Sequence, residues 1–193
     1  MPSTQMNDFP LPALVIRAIE LATTWHHGQW RKHPTERIPY AAHPSAVGFL
    51  LQRAGFDDEV IAAGILHDVL EDCDVTKEEL AENMTPRVAE LVSWVTEPSK
   101  SLSWKDRKEQ FREKLSQAPV EALAIKAADH IANLQSLLSA AKAEPNVWLL
   151  FATPREQKLA NEEAILNIIA SKLQSPLVTL HREMLDRVKK LPG

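Results

Sequence analysis

VIAAGILHDVLED, residues 60–72, decides how the rest of the chain is read. Its apolar residues Val60, Ile61, Gly64 and Ile65 recur at helical spacing, Asp57 or Asp58 stands where an N-cap is needed, and the expected helix runs to about Glu71. On that helix His67 and Asp68 share one turn of the C-terminal half. An imidazole beside a carboxylate can hold a divalent ion if a second His and a second Asp converge from elsewhere, and His43 and Asp129 are well-spaced candidates. Glu71 and Asp72 follow His67 and Asp68 by four residues each, so they project from the next turn as candidates for handling protons.

Outward from this stretch the chain keeps a helical period. It has five glycines and no Asn-Gly or Asp-Gly hairpin signal, so the expected class is all-α. A first helix is expected from Pro12 towards His27, followed by a polar, basic loop, RKHPTERIPY. Pro44 reads as the N1 proline of a second helix, with His43 at its entrance and Gly55 as its stop. Thr76-Lys77-Glu78-Glu79 has capping-box form, and Thr85-Pro86 opens a further short helix. Lys100 to Lys114 reads as a solvated helix, and Pro119 begins a long apolar one in which Asp129 is an acid needing a partner. Thr153-Pro154-Arg155-Glu156 predicts another capping box, and Pro176 a last helix ending at Lys189-Lys190.

With 193 residues, and no repeat or linker, one domain over 1–193 is expected, ordered from about Pro10 to about Leu191. The net charge of −4 offers nucleic acid no general attraction, so an anionic ligand must meet a local basic cluster, for which Arg31-Lys32 is the candidate. No apolar run is long enough for a membrane anchor. Cys73 is the single cysteine, and MPSTQMNDFP lacks the layout of a signal peptide, so the expected compartment is the cytoplasm. The five tryptophans, at 25, 30, 94, 104 and 148, are expected as core or edge aromatics rather than stacking platforms.

Each piece of the metal constellation has an ordinary explanation by itself. A histidine near a helix end interacts with the helix dipole, and a buried acid is commonly satisfied by a local partner. Two imidazoles and two carboxylates together suit Mn²⁺, Fe²⁺ or Zn²⁺ and leave open positions for water and a phosphate oxygen, which points to metal-dependent phosphate hydrolysis.

The segments HHGQWRK, PYAAHPSAVGFLL, IAAGILHDVLEDCDVT, LVSWVTEPSK and IKAADHIANL, in this order, resemble the HD-domain phosphohydrolases, and within them the hydrolase domain of the RelA/SpoT family and its stand-alone small alarmone hydrolases. The resemblance implies an HD-domain helical bundle holding one Mn²⁺ through His43, His67, Asp68 and Asp129, with Glu71 and Asp72 positioning or activating water. It also implies removal of the 3′-diphosphate of guanosine tetra- or pentaphosphate as pyrophosphate. The basic pair Arg31-Lys32 would face the nucleotide, Asn133 the ribose region, and Ser136 stands where many members have threonine. Because the chain ends at Gly193, a hydrolase without the family's synthetase and regulatory domains is expected.

Departures from the family pattern cluster near the nucleotide rather than the metal. His130 and Ala132 replace an arginine and a histidine, and Leu159 stands where some members have tyrosine, while Arg155 keeps a basic group for the substrate. They leave two other readings open: an HD phosphohydrolase acting on another nucleotide, such as the 2′-phosphate of NADPH or a nucleoside monophosphate, and a nucleotide-binding module without turnover.

Overall fold

The computed structural model describes residues 11–192. Among them are ten α-helices and one 3₁₀ helix, with no strand: α1 Ala13–Trp25, α2 Ala42–Arg53, α3 Asp58–Ile65, α4 Val69–Asp72, α5 Lys77–Asn83, α6 Pro86–Val95, α7 Trp104–Gln117, α8 Val120–Ala143, the 3₁₀ turn Val147–Leu150, α9 Arg155–Lys172 and α10 Pro176–Lys189. The all-α bundle expected from the sequence is what forms. Residues 1–10, MPSTQMNDFP, lie outside the described residues, as does Gly193.

Half of the α-helices start at a side-chain cap. Asp57 accepts from the amides of Glu59 and Val60, Thr76 from Glu79, and Thr85 from Val88 with Pro86 behind it. Pro44 is the third residue of α2, not the first, and is tolerated because the first turn's amides have no intrahelical partner anyway. Gly55 closes that helix at φ +81, a conformation that favours glycine. Two expectations shift. Pro154 is the N-cap of α9 with ψ 145, so the helix begins after it and Thr153 makes no cap. The charged helix α7 begins at Trp104 and is not simply solvated, since Phe111 and Leu115 are buried in the core.

The stretch VIAAGILHDVLED does not form one continuous helix. α3 stops at Ile65 and α4 starts at Val69, so His67 and Asp68 occupy a break between two helices instead of one continuous turn. The cause is local. His67 Nδ1 lies 2.8 Å from the carbonyl oxygen of Gly64, taking the acceptor that the amide of Asp68 would use in an unbroken helix, and the backbone tightens to a Val69 N–H to Leu66 C=O bond.

Helix α8 is the central element, with α2, α3, α6, α9 and α10 packed against it. Leu123, Ile125, Ala127, Ala128 and Ile131 are wholly buried there. α2 and α3 also meet closely through two glycines. A Cβ at Gly64 would stand 2.2 Å from Leu51 Cδ1, and one at Gly48 2.5 Å from Ile65 Cγ1. That approach sets the start of α2, with His43, against the end of α3, with His67.

Candidate active site

Three separate pieces of chain converge at one point: His43 from the first turn of α2, His67 and Asp68 from the break after α3, and Asp129 from the middle of α8. His43, His67 and Asp129 are buried, at 5%, 1% and 4% exposure, and offer ligand atoms that all lie within 4.8 Å of one another. The two imidazole Nε2 atoms are 3.2 Å apart. His43 Nε2 is 3.2 Å from Asp129 Oδ1, and His67 Nε2 is 3.0 Å from Asp68 Oδ2. Ligands at right angles on an ion ~2.1 Å away stand ~3 Å from each other, so these spacings fit a shared cation.

The donor chemistry fits as well. The Gly64 carbonyl accepts from His67 Nδ1 and leaves Nε2 as the ring atom facing the cluster, available to an ion that displaces its proton. Burial alone would depress the pKa of His67, but Asp68 and Asp129 outweigh it and push it up to about 10. Such a shift marks a spot that demands positive charge. Burial holds the neighbouring His43 imidazole below its ordinary value, against the pull of Asp129. Despite burial, Lys126, His43 and His67 keep the Asp129 carboxyl well below the usual carboxylate range. The cluster is a candidate divalent-metal centre.

Supporting contacts orient the carboxylates. The Tyr40 hydroxyl donates to Asp68 Oδ2, Lys126 Nζ donates to Asp129 Oδ2 at 2.7 Å, and Asn133 Nδ2 donates to Asp129 Oδ1. Asn133 in turn accepts from Arg31 at 2.7 Å, and the same guanidinium lies over the Tyr40 ring at 5.5 Å. Sequence reasoning missed Tyr40 and Lys126, although both carried a signal. Lys126 precedes Asp129 by one helical turn, and Tyr40 is the chain's single tyrosine, three residues before His43.

The two candidate proton-handling acids differ. Glu71 is half-buried, and its Oε2 accepts from the Glu97 amide at 3.3 Å. Burial, then the Glu97 carboxylate, raises its pKa. Asp72 is exposed, and its Oδ1 is held by Lys100 Nζ at 2.5 Å.

A cavity of about 390 Å³ adjoins the cluster, reaching it at Tyr40, Lys126 and Asp129. Arg31, Lys32, Asn133 and Ser136 all line it. Arg155 does not: its guanidinium donates to the carbonyls of Lys189 and Leu191 and lies over Trp148, tying down the end of α10. The basic group that the cavity receives from α9 is Lys158, which shares the Phe151 ring with Lys32, the two ammoniums standing 4.2 and 5.6 Å from its centroid. Trp30 and Trp104 stand at the edge of the fold as cavity wall, while Trp148 is a core residue bonded to the Pro192 carbonyl. His26 packs against Tyr40 at 4.6 Å and bonds Gln29, so its role is to buttress.

A profile described as HD domain matches residues 18–154. The chain is 39% identical over 118 residues to a guanosine-3′,5′-bis(diphosphate) 3′-pyrophosphohydrolase of Vibrio cholerae, covering 58% of this chain and 16% of that protein. It is 37% identical over 127 residues to the MESH1 guanosine-3′,5′-bis(diphosphate) 3′-pyrophosphohydrolase of Danio rerio, covering 65% and 69%. A solved structure described as "A metazoan ortholog of SpoT hydrolyzes ppGpp and plays a role in starvation responses" superposes with a TM-score of 0.79 at 27% identity, covering 96% of this chain and all of that one. The chain spans only 16% to 19% of the length of the first bacterial relatives it matches.

Proposed function

The chain belongs to the HD domain family, and from that membership we propose that it is a guanosine-3′,5′-bis(diphosphate) 3′-pyrophosphohydrolase, releasing pyrophosphate and GDP or GTP from guanosine tetra- or pentaphosphate. The observation that carries this reading is the pair of imidazole Nε2 atoms 3.2 Å apart, each within 3.2 Å of an aspartate oxygen, beside a cavity lined by Arg31 and Asn133. Relatives that the chain matches carry this activity in their names.

His43, His67, Asp68 and Asp129 would hold the metal; the mixed imidazole and carboxylate donors suit Mn²⁺, Fe²⁺ or Zn²⁺ alike, and Mn²⁺ is our choice among them on the family resemblance. When bound, it supplies a Lewis acid for a phosphoryl oxygen and lowers the pKa of water. Glu71 accepts a proton from the attacking water, its raised pKa bringing it nearer to neutrality than an ordinary carboxylate. Asp72, anchored by Lys100, keeps the α4 turn in place. Arg31, fixed between Asn133 and Tyr40, presents the rest of its guanidinium to phosphate or base, and Lys32 adds a point charge from the same wall. Asn133 and Ser136 face the ribose region. The proposed compartment is the cytoplasm, on the sequence grounds given above; no described helix is long and apolar enough to cross a membrane.

A second substrate remains in view because Arg155 is engaged with α10 and the cavity carries Lys158 and His130 instead. A purified sample supplied with Mn²⁺ should release pyrophosphate from guanosine tetraphosphate, and a chelator should stop it. A panel of nucleotides compared by kcat/KM includes NADPH and nucleoside monophosphates. Dominant orthophosphate release from one of these would overturn the alarmone assignment while leaving the metal centre intact.

A further inference from the structure

We propose that His130, Glu162 and His181 form a second site for a divalent transition-metal ion of the Zn²⁺ class, separate from the His43–Asp129 centre. The three side chains come from three helices, α8, α9 and α10, and their ligand atoms all lie within 4.8 Å of one another. Glu162 Oε2 is the hub. His130 Nδ1 contacts it directly, and His181 Nε2 stands 3.8 Å away, beyond hydrogen-bond reach.

His181 is the telling member. It is fully buried, and neither of its ring nitrogens has a hydrogen-bond partner. Buried polar atoms without partners are rare enough to require a cause, such as an ion or water that bridges them. Among the described residues no lysine or arginine lies within ion-pair distance of Glu162, so two imidazoles are its only close partners. A cation between the carboxylate and His181 Nε2 would satisfy both.

Two imidazoles and one carboxylate make a borderline donor set, which favours Zn²⁺, Ni²⁺ or Co²⁺ over the all-oxygen preference of Mg²⁺ and Ca²⁺. Because His130 and Glu162 also line the cavity, a fourth position can be filled from that side by water or a ligand oxygen. The inference needs no nucleotide and stands apart from the alarmone reading.

Metal counting tests it. Protein stripped by chelator is loaded with Co²⁺ or Zn²⁺, freed of excess ion and analysed for metal per chain, with the visible bands of Co²⁺ as a spectroscopic check. Two ions per chain are expected in the unaltered protein and one in Glu162→Gln, with circular dichroism confirming the fold. His130→Gln, at the cavity wall, provides a second variant with the same expectation. Asp129→Asn should lose the other ion and retain this one. A single ion in the unaltered protein, or two retained by folded Glu162→Gln or His130→Gln, overturns the proposal.

Discussion

Asp129 and His130 are consecutive residues of α8, yet they serve different clusters, because successive side chains on a helix point in different directions. The two clusters share a helix and a cavity and differ in support. At the first, His67 is held by Gly64, Asp68 by Tyr40, and Asp129 by both Lys126 and Asn133. At the second, His130 and Glu162 hold one another and His181 has no orienting partner. Outer contacts of this kind fix tautomer and direction before the ion arrives, so the first cluster is the better organised of the two.

Removing a ligand from the supported cluster should have the largest effect. His67→Ala or Asp129→Asn is expected to lose measurable pyrophosphate release altogether, with a parallel loss of one ion per chain. Full turnover in either variant would reject the first cluster as the reacting centre.

Next comes the contrast between the two acids of α4. Glu71→Gln should lower kcat by ~10²–10⁴, the usual contribution of a positioned acid or base. Asp72→Asn should cost much less, because that carboxylate is exposed and bound to Lys100. The pH profile sharpens this. Glu71 must be deprotonated to act as a base, and burial with Glu97 raises its pKa, so activity should fall on acidification through a point above the ordinary glutamate value. An acid limb that persists unchanged in Glu71→Gln would assign it to another group.

The supporting contacts are worth less than the ligands. Tyr40→Phe removes the hydroxyl that orients Asp68 and is expected to weaken metal affinity by ~10–100-fold, measured by calorimetric titration. Unchanged affinity would mean that orientation by neighbours is not what separates the two clusters.

Fold class and the convergence of His43, His67, Asp68 and Asp129 could be read from the chain because both leave local signatures: helical spacing, caps with prolines behind them, and a His-Asp pair. The break at residues 66–68 could not, since it depends on where the His67 ring turns, and an imidazole reaching back three residues leaves the apolar spacing untouched. Arg155 was misjudged for a related reason. A basic residue at a helix start gives no hint whether it faces a cavity or the carbonyls of a later helix, and here Lys189 and Leu191 claim it. His181 carries no local signature, because its neighbours His130 and Glu162 come from α8 and α9, distant in sequence.

The smallest effect on turnover should come from the helix crossing that brings His43 and His67 together. At Gly64 an added methyl would overlap Leu51 Cδ1, at 2.2 Å, with Val47 Cγ1 at 3.3 Å behind it. Both neighbours are wholly buried, so Leu51 has little room to turn away. Overpacking of this sort typically costs ~1–3 kcal/mol, and Gly64→Ala should lower the Tm accordingly. If α2 and α3 separate slightly to make room, His43 moves relative to His67, and metal affinity at the first cluster should fall along with Tm while the second cluster, built on α8, α9 and α10, keeps its ion. A loss of stability with affinity unchanged would show that the α2–α3 contact holds the fold but does not set the spacing of the ligands.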